Sequence, residues 1–133
     1  MSTLDPSPRP PATADGAARQ PWLHEFDMAV DGPATVVCDR AGDVGRPGTG
    51  VFVDDRRVVS ELLLTFDGST PTSIAGSTVG NESVHWLAVR HLGDDAPDAT
   101  VDVHRQRRVD GRTVVETITV TSRGDEPLAT EMG

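Results

Sequence analysis

Lysine and tyrosine are missing altogether, cysteine occurs once, and aromatic residues make up 4% of the 133 positions. Each shortage closes off a class of chemistry. Without lysine there is no GxxxxGK phosphate loop, so the glycine-rich stretch 41–50 (AGDVGRPGTG) reads as a loop and not a nucleotide cradle. It also lacks a GxGxxG opening a helix, which a dinucleotide site needs. Without tyrosine, only Trp22 and Trp86 offer an indole for stacking on sugars, a poor endowment for a free-standing carbohydrate-binding module. The lone Cys38 excludes an internal disulfide and suits a reducing compartment. Its neighbours Val36 and Val37 make an inert buried thiol the expectation, with no histidine in evident register to activate it. No apolar run reaches the roughly 18 residues of a membrane span. The first residues also lack the basic and apolar regions of a secretory signal. A cytoplasmic location is expected.

The charge balance excludes more. A net charge of -9 and a pI near 4.7 disfavour nucleic acid, whose phosphates need a basic stripe. Every positive charge is an arginine and aspartate outnumbers glutamate, a bias that suits a well-hydrated acidic surface. The four histidines, His24, His85, His91 and His104, lie at spacings unlike a zinc site, and His24-Glu25 lacks the HExxH continuation. No metal and no cofactor are expected.

What is present is a series of short apolar bursts between turn residues, without a helical stripe. The first 21 residues are rich in Pro, Ala, Ser and Thr and read as a disordered leader, leaving residues 22–133 as one domain. Strands are expected at Thr35–Cys38, Gly50–Val53, Val58–Phe66 and Val84–Arg90, the last with Val84, Trp86 and Ala88 on one face. Gly93–Pro97 reads as an exposed acidic loop. The clearest hairpin joins Ala99–Val109 to Arg112–Thr121 through Asp110-Gly111, a favoured type I′ dipeptide, with Val101 and Val103 inward and Asp102 and His104 outward. The expected fold is an all-β antiparallel sandwich. With Leu128–Thr130 starting a further strand just before Gly133, it reads as an incomplete sandwich or supersandwich, the front part of a larger unit.

Several residues invite a chemical reading beside a structural one. Asp54-Asp55-Arg56-Arg57 is either a charged bend, with an aspartate capping amides and paired to Arg57, or a support for the site of a larger enzyme. Adjacent side chains of an extended chain point to opposite faces, so the two aspartates cannot flank one glycosidic bond. Trp86 is a core residue or, with His85, part of a sugar-facing platform. Arg105 and Arg107 share a face near the hairpin, with Arg108 on the other. Glu116 on the facing arm pairs with one of them, unless the arginines hold an anionic ligand.

In this order and spacing, residues 26–92 resemble the amino-terminal domain of glycogen-debranching-type, amylo-α-1,6-glucosidase-like proteins. The carriers are the D-x-x-G loop Asp39-Arg40-Ala41-Gly42, then Gly50-Val51-Phe52, Asp55-Arg56-Arg57, Val59-Ser60 and the apolar run from Leu62 to Gly68. The later hairpin fits as well, with its R-x-R (Arg105, Arg107), dipeptide turn and arm bearing Glu116. The sequence departs from the family pattern at Arg56, where threonine is usual, and at Val51 and Val59, where leucine is. The resemblance implies a β-sandwich ahead of an (α/α) six-hairpin glycosidase barrel that carries the catalytic carboxylates. The sandwich then packs against the barrel and shapes the substrate cleft. Asp55, Arg57 and Trp86 become candidates for cleft support, and Gly50, Ser60 and Glu116 for structural roles. No catalytic residue is assigned. The expected partners are that barrel and an oligo- or polysaccharide. Alternatives are a carbohydrate-binding module and an interaction protein that forms a homo-oligomer through an exposed sheet edge.

Overall fold

The computed structural model describes residues 25–92 and 99–133. The leader, Trp22, His24 and the acidic loop 93–97 fall wholly or mainly outside these residues. Two four-stranded antiparallel meanders, one from each half of the chain, stack as a β-sandwich. The first consists of β1 (Asp27–Asp31), β2 (Ala34–Cys38), β3 (Gly50–Val53) and β4 (Arg56–Val59). The second consists of β5 (Thr72–Val79), β6 (Glu82–Ala88), β7 (Val101–Asp110) and β8 (Thr113–Ser122). Both run in chain order, so each strand pairs with its sequence neighbour.

Period-two alternation explains which side of each strand is dry. Ala29, Val36 and Val51 stand opposite one another across β1, β2 and β3, and with Ala34, Cys38, Val44 and Val109 they form one apolar cluster. Leu87, Val101 and Val103 of the second sheet form another with Leu64, Phe66 and Val89. The segment after β4 thus lays Leu64 and Phe66 over the second sheet and serves as an extra piece of the first layer.

That segment differs from the single long strand expected over Val58–Phe66. Strand β4 stops at Val59, and the chain then leaves β3. Leu62 exchanges both backbone bonds with Val44, at 2.7 and 2.9 Å, and the Leu64 amide donates to Asp43 Oδ1 at 3.1 Å. These partners draw the apolar run inward as irregular backbone. Its end meets the C-terminal residues, where Thr65 and Gly133 exchange two backbone bonds of 3.0 Å. The strand expected to begin at Leu128–Thr130 is not formed there; instead the segment makes an isolated bridge, between Phe66 and Met132.

Strands β1 and β5 carry too little apolar alternation to have been read from sequence. Only Ala29 of β1 is buried, and almost all of β5 is exposed. Pairing to β2 and β6 makes them strands. The hairpin turn between β7 and β8 also shifts by one residue. Asp110 pairs with Thr113, which puts Gly111-Arg112 at the tip. Gly111 has φ 63° while Arg112 stays at negative φ, the type II′ pattern and not I′. The I′ geometry appears instead at Asp54 (φ 51°) and Asp55 (φ 64°), which join β3 to β4. Aspartate tolerates this conformation better than most residues. Among the described residues no helix is long and apolar enough to cross a membrane.

Candidate functional site

Strand β7 sends Val101, Val103, Arg105, Arg107 and Val109 inward, and none is more than 2% exposed. Two guanidiniums therefore sit in the interior between the two apolar clusters, where an unpaired charge would be costly. Across the ladder, Arg107 faces Glu116 of β8, and the carboxylate spans both arginines. Arg105 Nε donates to Glu116 Oε1 at 2.7 Å, and Arg107 Nη2 donates to Oε2 at 2.7 Å. Arg105 Nη1 also donates to Asp43 Oδ1 at 2.7 Å and to the Ala41 carbonyl at 3.1 Å. Arg107 Nη2 donates to the Gly42 carbonyl at 2.7 Å.

The loop that receives these arginines is shaped by Asp39. Its Oδ1 accepts from the amides of Ala41 and Asp43, both at 2.9 Å, which turns the chain so that the carbonyls of Ala41 and Gly42 point inward. Gly42 sits at φ 88°, and a Cβ there would lie 2.9 Å from His85 Cδ2. Only glycine satisfies both the backbone angle and that approach. Burial alone would push the Glu116 carboxyl up, but Arg107 and Arg105 outweigh it and hold it below its usual range. Burial would likewise push Arg105 down, and Asp43 and Glu116 together raise it instead. Two arginines and two carboxylates thus form a neutral, charge-assisted network.

His85 and Cys38 border the network. His85 is fully buried, with Nδ1 2.9 Å from the Arg40 carbonyl and Nε2 3.2 Å from Ser83 Oγ and 3.7 Å from Cys38 Sγ. The fold therefore places a histidine beside the cysteine, which sequence spacing did not reveal. The pair is not an activated nucleophile. Burial pushes the thiol up to about 11, and burial, reinforced by Arg107 and Arg105, pushes the imidazole down so that it stays neutral.

Trp86 is not a core residue. On β6 it is Ser83, His85 and Leu87 that point inward, while Trp86 is 43% exposed on the outer face of the second sheet. It stands opposite His104, with ring centroids 5.4 Å apart and planes tilted by 56°. A shallow depression of about 570 Å³ lies there, lined by Ile74, Trp86, Asp102, His104, Thr121 and Arg123. Arg123 is ion-paired to Asp102 at its rim.

The cleft-support candidates do not converge. Asp55 occupies the β3–β4 turn and is exposed. Its neighbour Asp54 pairs with Arg112 and not with the expected Arg57. Arg57 lies over the Phe52 ring at 5.4 Å, opposite it in register, on the outer face of the first sheet. Gly50 belongs to the same face, since a Cβ there would lie 3.0 Å from both Arg57 Nε and Phe52. Arg57 and Trp86 therefore stand on opposite outer faces. Ser60 is exposed just after β4. Glu116 is the one candidate in the interior network, and it holds both arginines where pairing with one was expected. Asp43 was missed, Gly42 was read only as part of the D-x-x-G loop, and His85, expected beside Trp86 on an outward platform, is buried on the opposite face of β6. The signal for the network lay in the alternation that puts Arg105 and Arg107 on the same side as Val101 and Val103. Among the described residues no group of three or more His, Cys, Asp or Glu side chains is placed to hold a metal ion.

Compared with known protein families, residues 30–132 match the N-terminal domain of (some) glycogen debranching enzymes. No curated protein and no solved structure matches the chain. The family match spans well over half of the chain and takes in the loop, the arginines and the glutamate of the buried network. On that match, the chain belongs to the family of N-terminal domains of glycogen debranching enzymes.

Proposed function

We propose that the chain is a non-catalytic cytoplasmic β-sandwich that packs against and supports a separate (α/α) six-hairpin glycosidase barrel. The observation that carries this reading is the state of the carboxylates. Glycoside hydrolysis needs an acid and a base facing each other across a sugar. Asp43 and Glu116 approach the same guanidinium, but both are committed to it by bonds of 2.7 Å, and the arginines hold Glu116 ionised. Neither is free to carry a proton to a leaving group. A sandwich with this interior supplies surface and rigidity, and the barrel supplies the chemistry. The test has two arms. The chain alone should release no reducing sugar from glycogen or malto-oligosaccharides. Mixed with the barrel domain of a glycogen debranching enzyme, it should sediment as a complex. Hydrolysis by the chain, or two independent boundaries, would remove the reading.

A second reading rests on the exposed indole. Trp86 with His104 offers a tilted aromatic surface, edged by Asp102 and Thr121 as hydrogen-bond partners for hydroxyls. On this reading the outer face of the second sheet borders the substrate cleft and stacks an α-glucan. Titrating maltoheptaose into a Trp22→Phe background should quench Trp86 fluorescence. Unchanged emission at millimolar sugar would sink it.

A further inference from the structure

The four outermost strands are unequally protected against further pairing, and the exception points to a partner. Strand β1 is five residues long with aspartate at both ends, and its Val30 amide is spent on the Gly80 carbonyl. Strand β4 is four residues long, begins Arg56-Arg57 and faces a register irregularity in β3. Strand β5 has a register shift between Ser73 and Ala75 and follows Pro71. Short length, charge, bulges and proline are the usual guards of a sheet edge. Strand β8 has none of them. It runs ten residues, TVVETITVTS, in unbroken register with β7, and its single charge is neutralised by Arg105 and Arg107.

The turn fixes which backbone groups remain available. A two-residue turn makes Asp110 and Thr113 a hydrogen-bonded pair, so bonds to β7 recur at Val115, Thr117, Thr119 and Thr121. The amides and carbonyls of Val114, Glu116, Ile118 and Val120 then point away from β7. Val114, Glu116 and Ile118 also line an open groove of about 520 Å³ beneath Val51, Val58, Val59 and Leu62. The layers are offset there: β1 lies over β5, β6 and β7, and β2 over β7, and Val51 and Val53 of β3 with Val58 and Val59 of β4 face Val114, Glu116 and Ile118 of β8 across the groove.

We propose that this edge receives one extended polypeptide strand, uncharged and with alternate apolar side chains. Its backbone continues the second sheet beyond β8, and its apolar side chains fill the groove under β3 and β4. Charge fixes the chemistry of the occupant. Glu116 is already held by two arginines and Arg112 by Asp54, so the groove has no charge left to match. Geometry fixes its size. A second copy pairing β8 to β8 would bring its own β3–β4 hairpin into the same space, whereas a lone strand would not. A helical barrel offers no strand, so this inference stands apart from the supporting role proposed above.

The test titrates the full chain with a capped heptapeptide of alternating threonine and valine, reading amide exchange by NMR. Protection at Glu116, Ile118 and Val120 should rise at least about tenfold, while Thr117 and Thr119, already bonded to β7, should change less than about twofold. Val120→Pro removes an outward amide without touching the ladder to β7, and Val58→Asp puts a charge into the groove at an exposed position. Each should weaken peptide binding at least about tenfold while leaving the melting temperature of the free chain nearly unchanged. Absent or non-alternating protection at millimolar peptide overturns the proposal. So does the same pattern arising without peptide and growing with protein concentration, which would make the occupant a second copy.

Discussion

Replacing Glu116 by glutamine removes one charge from the interior and leaves the volume almost unchanged. Both guanidiniums it served are at most 1% exposed, and among the described residues Arg107 has no other carboxylate within ion-pair distance. Its remaining partner there is the Gly42 carbonyl, at 2.7 Å. Breaking a buried pair from one side costs about 3–5 kcal/mol, because a desolvated charge is left behind. Against a total stability of about 5–15 kcal/mol this is a large fraction. For a domain of this size it corresponds to a fall of roughly 15–25 °C in melting temperature. Urea unfolding at pH 7, followed by circular dichroism, measures the difference directly. The pH dependence gives an internal check. Glu116 is held below its ordinary value of 4.5, so its contribution is complete above that pH and is lost as the pH falls through the lower folded value. The gap between wild type and Glu116→Gln should therefore close on acidification. A gap below about 1 kcal/mol at pH 7, the scale of an exposed ion pair, would refute the reasoning. So would a gap that does not depend on pH.

Three other outcomes are expected. Cys38, pushed up to about 11 and 1% exposed, should resist iodoacetamide at pH 8, where roughly one thiol in a thousand is ionised, and should react only in urea. Mass spectrometry reads the adduct, and rapid labelling of folded protein would contradict the burial argument. His85 is held neutral below its ordinary value of 6.5, so stability should be complete above that pH and decline as the pH drops through the lower folded value. Melting curves of His85→Gln should lack that part of the decline. Gly42→Ala should cost about 1–3 kcal/mol, because alanine must adopt positive φ and press its methyl against His85. Equilibrium unfolding checks this, and a neutral result would show that the loop has room to shift.

How far the fold could be read from the residues depended on where each strand lies. Strands buried on one face announced themselves: Val101 and Val103 alternate with Asp102 and His104, and Gly50–Val53 was placed to the residue. The edge strands did not. TSIAGSTV buries almost nothing, and its pairing partner supplies what its composition lacks. The run from Val58 to Phe66 misled for the opposite reason. Its alternation is real, but bonds from its backbone to the Val44 backbone and the Asp43 carboxylate bend it off the sheet. The site was half legible. Alternation puts Arg105 and Arg107 on a common face with two buried valines, yet nothing local reveals that Asp43 and Gly42, more than sixty residues earlier, meet them. Trp86 followed from neither composition nor periodicity, because β6 inverts the usual preference and buries His85 and Ser83 instead.

The residues that carried the family resemblance also explain what kind of motif they form. Asp39 and Gly42 of the D-x-x-G loop, Arg105 and Arg107 of the R-x-R and Glu116 of the facing arm are scattered over three separate stretches, and all five join one network. Asp39 shapes the loop, Gly42 offers its carbonyl, and Glu116 binds both arginines. A ligand site would leave some of that hydrogen-bonding capacity directed at a cavity. Among the described residues, Arg107 Nη1 is the one fully buried side-chain atom of the network without a partner, on a residue that is 0% exposed. The network also joins the two sheets. Its loop follows β2 of the first, its side chains come from β7 and β8 of the second, and a buried charge tolerates only one arrangement of partners. Apolar side chains alone would let the two valine-rich layers slide by a residue pair at modest cost. The ion pairs would not, so the recognisable residues of this domain set the register between its two sheets.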